Sequence, residues 1–226
     1  MAIKVLISGY ENTGKSTLIS KIKNALIINC DNKEFTIEAI HANYVKWKGS
    51  KDFSDFVNSK IVAYKEKFNE LPKVVVFDTI THLYGNMTNY HNNTLQGFNI
   101  HSATERETKA INNYINDVLI AKGINVVVVA HTRIDEKTDK HTIPASGSFR
   151  NEGSWLSIVN EAIYIERGLN KEKKIVHIVW LKTDGRYPVR SLLDHKDDCV
   201  DFDSFDVNKW LDSITNVVAK NEKFRL

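Results

Sequence analysis

The sequence contains little cysteine or proline, and it has no long hydrophobic run. Its two cysteines, Cys30 and Cys199, provide no disulfide framework, which excludes the class of small secreted domains held together by cross-links. No apolar run reaches the roughly 18 residues that a membrane-spanning helix needs, and the first residues favour a strand over a signal peptide. We therefore expect a cytoplasmic protein that makes no membrane contact.

An excess of charge of one sign is also lacking. The 31 basic and 28 acidic residues leave a net charge of +3, which permits contact with nucleic acid without favouring it. No internal repeat is visible, and 226 residues are enough to bury one sizeable core. We expect this core to span residues 1–200 and a helical tail to follow over residues 201–226.

The most specific motif present is a glycine-rich loop of the pattern G-x-x-x-x-G-K-[ST], between a predicted strand at 3–8 and a predicted helix at 15–24. Backbone N–H groups of such a loop wrap a β-phosphate, its lysine reaches the β- and γ-phosphate oxygens, and the next hydroxyl ligates Mg²⁺. The motif therefore predicts a nucleoside triphosphate site. Its residues are Gly9, Tyr10, Glu11, Asn12, Thr13, Gly14, Lys15, Ser16 and Thr17.

Strands alternate with helices along the chain. Apolar runs predict strands near 3–8, 25–30, 73–78, 124–130, 161–166, 174–182 and 188–193. Helical spacing predicts helices near 15–24, 52–69, 103–122 and 206–220. This alternation is typical of an α/β fold, with a mainly parallel sheet covered by helices on both faces and a C-terminal β-hairpin plus helix. Two segments without periodicity, about 84–102 and 133–153, predict long loops that are either functional or disordered.

Three predicted strands end on a polar side chain, at the sheet edge where ligands bind in such folds. Asp78 ends the strand V-V-V-F-D and matches the acid that, with Ser16, holds Mg²⁺ in P-loop enzymes. Asp31 either polarises the attacking water or caps a loop. His131 either senses the γ-phosphate or is a structural histidine.

Two cations, Lys182 and Arg186, flank a turn after the strand at 174–182. They belong either to a solvated hairpin or to a finger that reaches ATP held by a neighbouring subunit. The tail helix has one apolar face, which either packs on its own core or docks on the next subunit. That face consists of Val207, Trp210, Leu211, Ile214 and Val218.

Five motifs occur in an order that resembles the RecA-like ATPase core over about residues 1–195, and most closely short phage-encoded RecA-like proteins that anneal single strands. The motifs are G-Y-E-N-T-G-K-S-T, I-I-N-C-D, V-V-V-F-D-T, V-V-V-V-A-H and K-T-D-G-R. RecA itself has glutamate and glutamine where this chain has Asp31 and His131. The resemblance implies that the protein anneals DNA strands or acts as a loader, more than that it carries out full strand exchange.

The resemblance also implies cofactors, partners and a location. The cofactors are ATP and Mg²⁺, and the ATPase is stimulated by DNA. The partners are single-stranded DNA, further copies of the chain in a ring or filament, and a single-stranded DNA-binding protein. A phage-encoded protein of this kind works in the host cell cytoplasm, in recombination or replication.

The two aperiodic segments are the candidate DNA contacts. Aromatic side chains in these segments would stack on bases, and cations would contact phosphates. Acidic residues lie between the cations, however, and this mixture of charges also fits a solvated loop that binds no DNA. The aromatic candidates are Tyr84, Tyr90 and Phe149, and the cationic ones are Arg133, Lys137, Lys140 and Arg150.

Other functional classes are less well supported. A regulatory GTPase needs D-x-x-G, but Thr79, Ile80 and Thr81 follow Asp78. A P-loop small-molecule kinase stays open, because the segment 133–150 could form a lid over the phosphates. An ATP-switched adaptor of a replication or packaging machine also stays open. ATP turnover that rises with single-stranded DNA favours the recombinase, and turnover that needs a nucleoside or metabolite favours the kinase.

Overall fold

The computed structural model describes residues 1–31, 33–144, 155–169 and 172–222, which form ten strands and six α-helices. The strands are β1 (Lys4–Gly9), β2 (Ala25–Asn29), β3 (His41–Asn43), β4 (Val74–Asp78), β5 (Asn125–His131), β6 (Arg133–Asp135), β7 (Lys140–Thr142), β8 (Glu161–Leu169), β9 (Ile175–Trp180) and β10 (Cys199–Asp201). The helices are α1 (Lys15–Ser20), α2 (Ser50–Phe68), α3 (Ile80–Thr94), α4 (Phe98–Tyr114), α5 (Trp155–Ile158) and α6 (Val207–Glu222). A π-helix, Ile115–Ile120, continues α4, and a 3₁₀ turn, Phe202–Ser204, follows β10.

Eight strands form one sheet in the order β10-β9-β8-β1-β5-β4-β2-β3. The strands from β8 to β3 run parallel, and β9 and β10 extend the β8 edge in antiparallel fashion. In the parallel register Gly9 lies beside His131, and Asn29 lies beside Asp78. The polar ends of these strands therefore meet at one edge of the sheet.

Both faces of the sheet are covered by helices. Side chains alternate along the strands, so that Leu6 and Val75 face one core while Val5 and Val76 face the other. Helices α2, α3 and α4 pack on the first face, and α1 and α6 pack on the second. The predicted α/β class with a mainly parallel sheet is confirmed. None of the described helices is both long enough and apolar enough to cross a membrane.

Several sequence predictions about local structure are wrong. The predicted loop at 84–102 consists largely of α3 and the start of α4. Thr79 caps α3 by accepting the His82 N–H at 3.3 Å. Tyr84 is buried on the core side of α3, so it cannot stack on a nucleic-acid base. The predicted strand at 188–193 is reduced to one bridge between Arg190 and Ala162, with Pro188 beside it.

The apolar face of the tail packs on the chain's own core, so it does not present a docking surface to a neighbouring subunit. Helix α6 buries Val207, Trp210, Leu211 and Ile214 in the same cluster as α1. The segment predicted as a loop at 133–153 begins as a hairpin of β6 and β7.

Candidate functional site

A cleft of about 520 Å³ opens at the carboxyl edge of the parallel strands. It brings together most of the phosphate loop with the three predicted strand-end residues, Asp31, Asp78 and His131. Two further histidines, His82 and His177, also line it. The cleft is therefore built from elements that are far apart in sequence but adjacent in the sheet.

Both glycines of the motif are required by close contacts. A Cβ atom on Gly9 would lie 2.6 Å from the Ile165 carbonyl oxygen, which is backbone and cannot yield. Gly14 has φ of +92°, and a Cβ atom there would lie 3.0 Å from His177 Nδ1. A side chain at either position would therefore force the loop or its neighbours to shift.

Lys15 is buried and folded against its own loop. Its Nζ donates to the Gly9 carbonyl at 3.0 Å and to the Tyr10 carbonyl. Burial lowers the pKa of this ammonium to about 8, although the carboxylates of Asp78 and Glu11 oppose that effect. A desolvated ammonium whose close partners are the neutral oxygens of two carbonyls and the Thr13 hydroxyl is suited to receive the charged oxygens of a phosphate chain.

Ser16 and Asp78 join the loop to the end of β4. The Ser16 hydroxyl donates to Asp78 Oδ2 at 3.0 Å. Asp78 is only 4% exposed, and burial raises its pKa to about 6 against the opposing effects of Ser16 and Lys15. A hydroxyl beside a buried carboxylate is the hard-oxygen donor set that Mg²⁺ prefers. The residues present therefore fit a magnesium ion.

Asp31, His82 and His131 lie next to one another in the lining of the cleft. His82 Nδ1 lies 2.8 Å from Asp31 Oδ1, and the rings of His82 and His131 are 5.3 Å apart. His131 Nδ1 is buried and has no hydrogen-bond partner within the described part of the chain. Burial, reinforced by the charges of Lys15 and His82, lowers the pKa of His131 to about 4, so its imidazole is neutral at pH 7.

The two candidate finger cations lie outside this cleft. Lys182 Nζ is 3.5 Å from Asp198, and the Arg186 guanidinium is 3.7 Å from Glu166 and packs over the Tyr187 ring. Neither cation contributes to the lining of the cleft in its own chain. Their role as a finger stays a prediction.

The candidate DNA-contacting cations lie on an exposed hairpin. Arg133, Lys137 and Lys140 are exposed on β6, its turn and β7, and the hairpin follows His131 after a single residue. Phe149 and Arg150 lie outside the described residues.

Sequence reasoning missed His82 and His177. His82 stands in the first turn of α3, four residues after Asp78, between the predicted strand at 73–78 and the predicted loop at 84–102. The i, i+3, i+4, i+7 pattern of Ile80, Leu83, Tyr84 and Met87 was the signal that could have revealed this helix. His177 reaches the loop from the antiparallel strand β9, a pairing that has no local sequence signal.

A family model described as an AAA domain matches residues 1–181. The matched region contains the phosphate loop, Asp31, Asp78 and His131, and it ends just before Lys182. No curated protein matches the sequence.

Proposed function

The chain belongs to the AAA domain family, which makes it a protein with a P-loop ATPase-type domain, and we propose that it hydrolyses ATP while acting on single-stranded DNA. In this proposal it is a phage-type RecA-like protein that anneals or pairs strands. The proposal of ATP hydrolysis rests on one observation: Lys15, the Ser16–Asp78 pair and Asp31 all line the same cleft.

Each residue of the cleft has a distinct task in hydrolysis. Lys15 exchanges its loop carbonyl partners for phosphate oxygens and binds the triphosphate. Ser16 and Asp78 would hold Mg²⁺, which when bound neutralises charge on the phosphates. Asp31 accepts a proton from the attacking water as general base. His131 is neutral, and its Nδ1 has no partner among the described residues, so it has the hydrogen-bonding capacity that a γ-phosphate sensor needs.

The proposed DNA contact is supported by the path of the chain after His131. A single residue, Thr132, separates the sensor from the hairpin that carries Arg133, Lys137 and Lys140. Asp135 accepts the Lys137 N–H at 2.9 Å and so shapes the hairpin turn. The three cations stay exposed, where they can meet a phosphate backbone.

The proposed partner copies complete the active site in trans. No arginine lines the cleft in the described part of the chain, whereas Lys182 and Arg186 are partly exposed elsewhere on the same molecule. In a ring or filament these cations would reach ATP bound by a neighbour and stabilise the charge that develops in the transition state.

The first experiment measures ATP turnover with and without single-stranded DNA. The proposal predicts turnover that rises with DNA, whereas turnover that requires a nucleoside or metabolite would identify a kinase instead. ATP binding without turnover would favour the non-enzymatic, ATP-switched adaptor.

The second experiment measures single-stranded DNA affinity as a function of salt. Replacing Arg133, Lys137 and Lys140 by alanine should reduce the salt slope by about 0.7 for each lost phosphate contact. The control variant removes three exposed lysines elsewhere, Lys23, Lys65 and Lys122. Equal affinities and slopes for the two variants would contradict the proposed hairpin contact.

A further inference from the structure

We propose that His82 is a positioning residue for ATP hydrolysis, which holds the Asp31 carboxylate toward the reacting end of the cleft. This inference rests on the proposed function, in which Asp31 is the general base. The observation behind it is the 2.8 Å contact between His82 Nδ1 and Asp31 Oδ1, with both side chains lining the cleft.

Hydrogen bonds fix the backbone at both His82 and Asp31. The His82 N–H donates to the Thr79 hydroxyl at 3.3 Å, which fixes the first turn of α3 directly after β4. The Asp31 N–H donates to Asn29 Oδ1 at 3.1 Å, and Asn29 lies in register with Asp78. The two side chains therefore meet because β2 and β4 are neighbours in the sheet.

The Asp31 carboxylate needs a partner to hold one orientation. Its side chain is 26% exposed at the end of a strand, so core packing does not fix its rotamer. An imidazole N–H donating to one carboxylate oxygen restricts the side chain and leaves the second oxygen free to accept a proton from water. The His82 ring also lies 5.3 Å from the His131 ring, so it neighbours both the base and the sensor.

A purely structural role explains the contact less well. The His82 side chain is 41% exposed, so its removal deletes little buried surface and leaves no large cavity. The expected consequence of losing it is a misplaced Asp31, with the fold and the triphosphate contacts of Lys15 unchanged.

The decisive experiment compares His82→Ala with His82→Asn, because the asparagine amide can donate from nearly the position of the histidine Nδ1. His82→Ala should lower kcat about 10-fold to 100-fold with KM for ATP and thermal midpoint unchanged, the scale of losing a group that orients a catalytic side chain. His82→Asn should restore kcat to within about threefold of wild type. Wild-type kcat in His82→Ala, or equal losses in both variants, would overturn the proposal.

A double variant tests whether His82 acts through Asp31. Asp31→Asn alone should retain ATP binding and lose about 10²-fold or more in turnover, as expected for a positioned base. Adding His82→Ala to it should cost nothing further, whereas multiplied losses would mean that His82 acts independently of Asp31.

Failure of this inference can be told apart from failure of the proposed function. Lys15→Ala reports on the ATPase itself: if wild-type turnover does not depend on Lys15, the proposed function falls. The contact with Asp31 is then tested without turnover, by the ¹⁵N resonance of the His82 imidazole, which should shift in Asp31→Ala. An unchanged resonance would refute the contact directly.

Discussion

Trp210 donates its indole N–H to the Glu161 carboxylate at 2.6 Å, in the interior of the protein. Glu161 is fully buried, and it also accepts from His195 Nε2 at 2.8 Å and from the Leu193 N–H at 3.0 Å. One carboxylate thus fastens the start of β8, the segment before β10 and helix α6 to each other. The tail is in this way an integral part of the core that supports the cleft.

Loss of the indole donor should destabilise the protein. Trp210→Phe keeps the aromatic ring but leaves a buried carboxylate oxygen short of a partner, and we expect the free energy of unfolding to fall by about 1–3 kcal/mol. Urea denaturation measures this change in the free energy of unfolding. Trp180→Phe is the matched control, because Trp180 donates to Glu166, whose side chain is 28% exposed and can turn to water instead. A larger loss in the control would contradict the account.

A buried lysine at the start of β1 should make stability depend on pH. Lys4 is 8% exposed, its Nζ donates to Asn116 at 3.0 Å, and burial lowers its pKa to about 8. Since the unfolded chain binds this proton more tightly, stability falls as the pH drops from the ordinary lysine pKa of about 10.4 to about 8, and below about 8 the full loss is present.

Lys4→Met should therefore stabilise the protein at pH 7, by about 1–3 kcal/mol, because a thioether chain fills similar space without a buried charge. The gain should shrink as the pH approaches 10. Unfolding of both proteins is compared at pH 7 and pH 10. A gain of equal size at the two pH values would show that packing, and not ionisation, is responsible.

The proposed action of Lys182 and Arg186 across an interface predicts complementation. Inactive Lys15→Ala protein is mixed with inactive protein carrying Lys182→Ala and Arg186→Ala, and ATP turnover is followed at several ratios. Some interfaces in mixed oligomers then pair an intact loop with an intact finger, so partial activity should return. If both parents assemble with wild type and every mixture stays inactive, the cations do not act in trans.

The sequence predicted the features that local patterns determine. The phosphate loop is a contiguous motif, and the strand ending on Asp78 is an unbroken apolar run of β-branched and aromatic residues. Both signals arise within a few residues of chain. The loop and Asp78 lie together because β1 and β4 flank β5 in a parallel sheet. The alternating pattern predicts the parallel sheet but not this strand order.

The features that were missed depend on tertiary packing. Helix α3 contains asparagine, histidine and threonine residues of modest helix propensity, and its buried face of Ile80, Leu83 and Met87 stabilises it. His82 is found only when that helix is known. The strand that pairs with β9 at the edge of the sheet is β10, and not the predicted strand at 188–193. The sequence did not reveal β10 because its three residues carry no periodicity of their own.

The central claim is that this cleft hydrolyses ATP through Lys15, and single-turnover ATPase assays of Lys15→Ala test it most directly. The control is Lys23→Ala, which removes an exposed lysine just beyond α1 and should keep wild-type turnover. The account predicts that Lys15→Ala keeps the fold, as judged by its circular dichroism, and loses hydrolysis. Hydrolysis at near the wild-type rate in folded Lys15→Ala protein would contradict it.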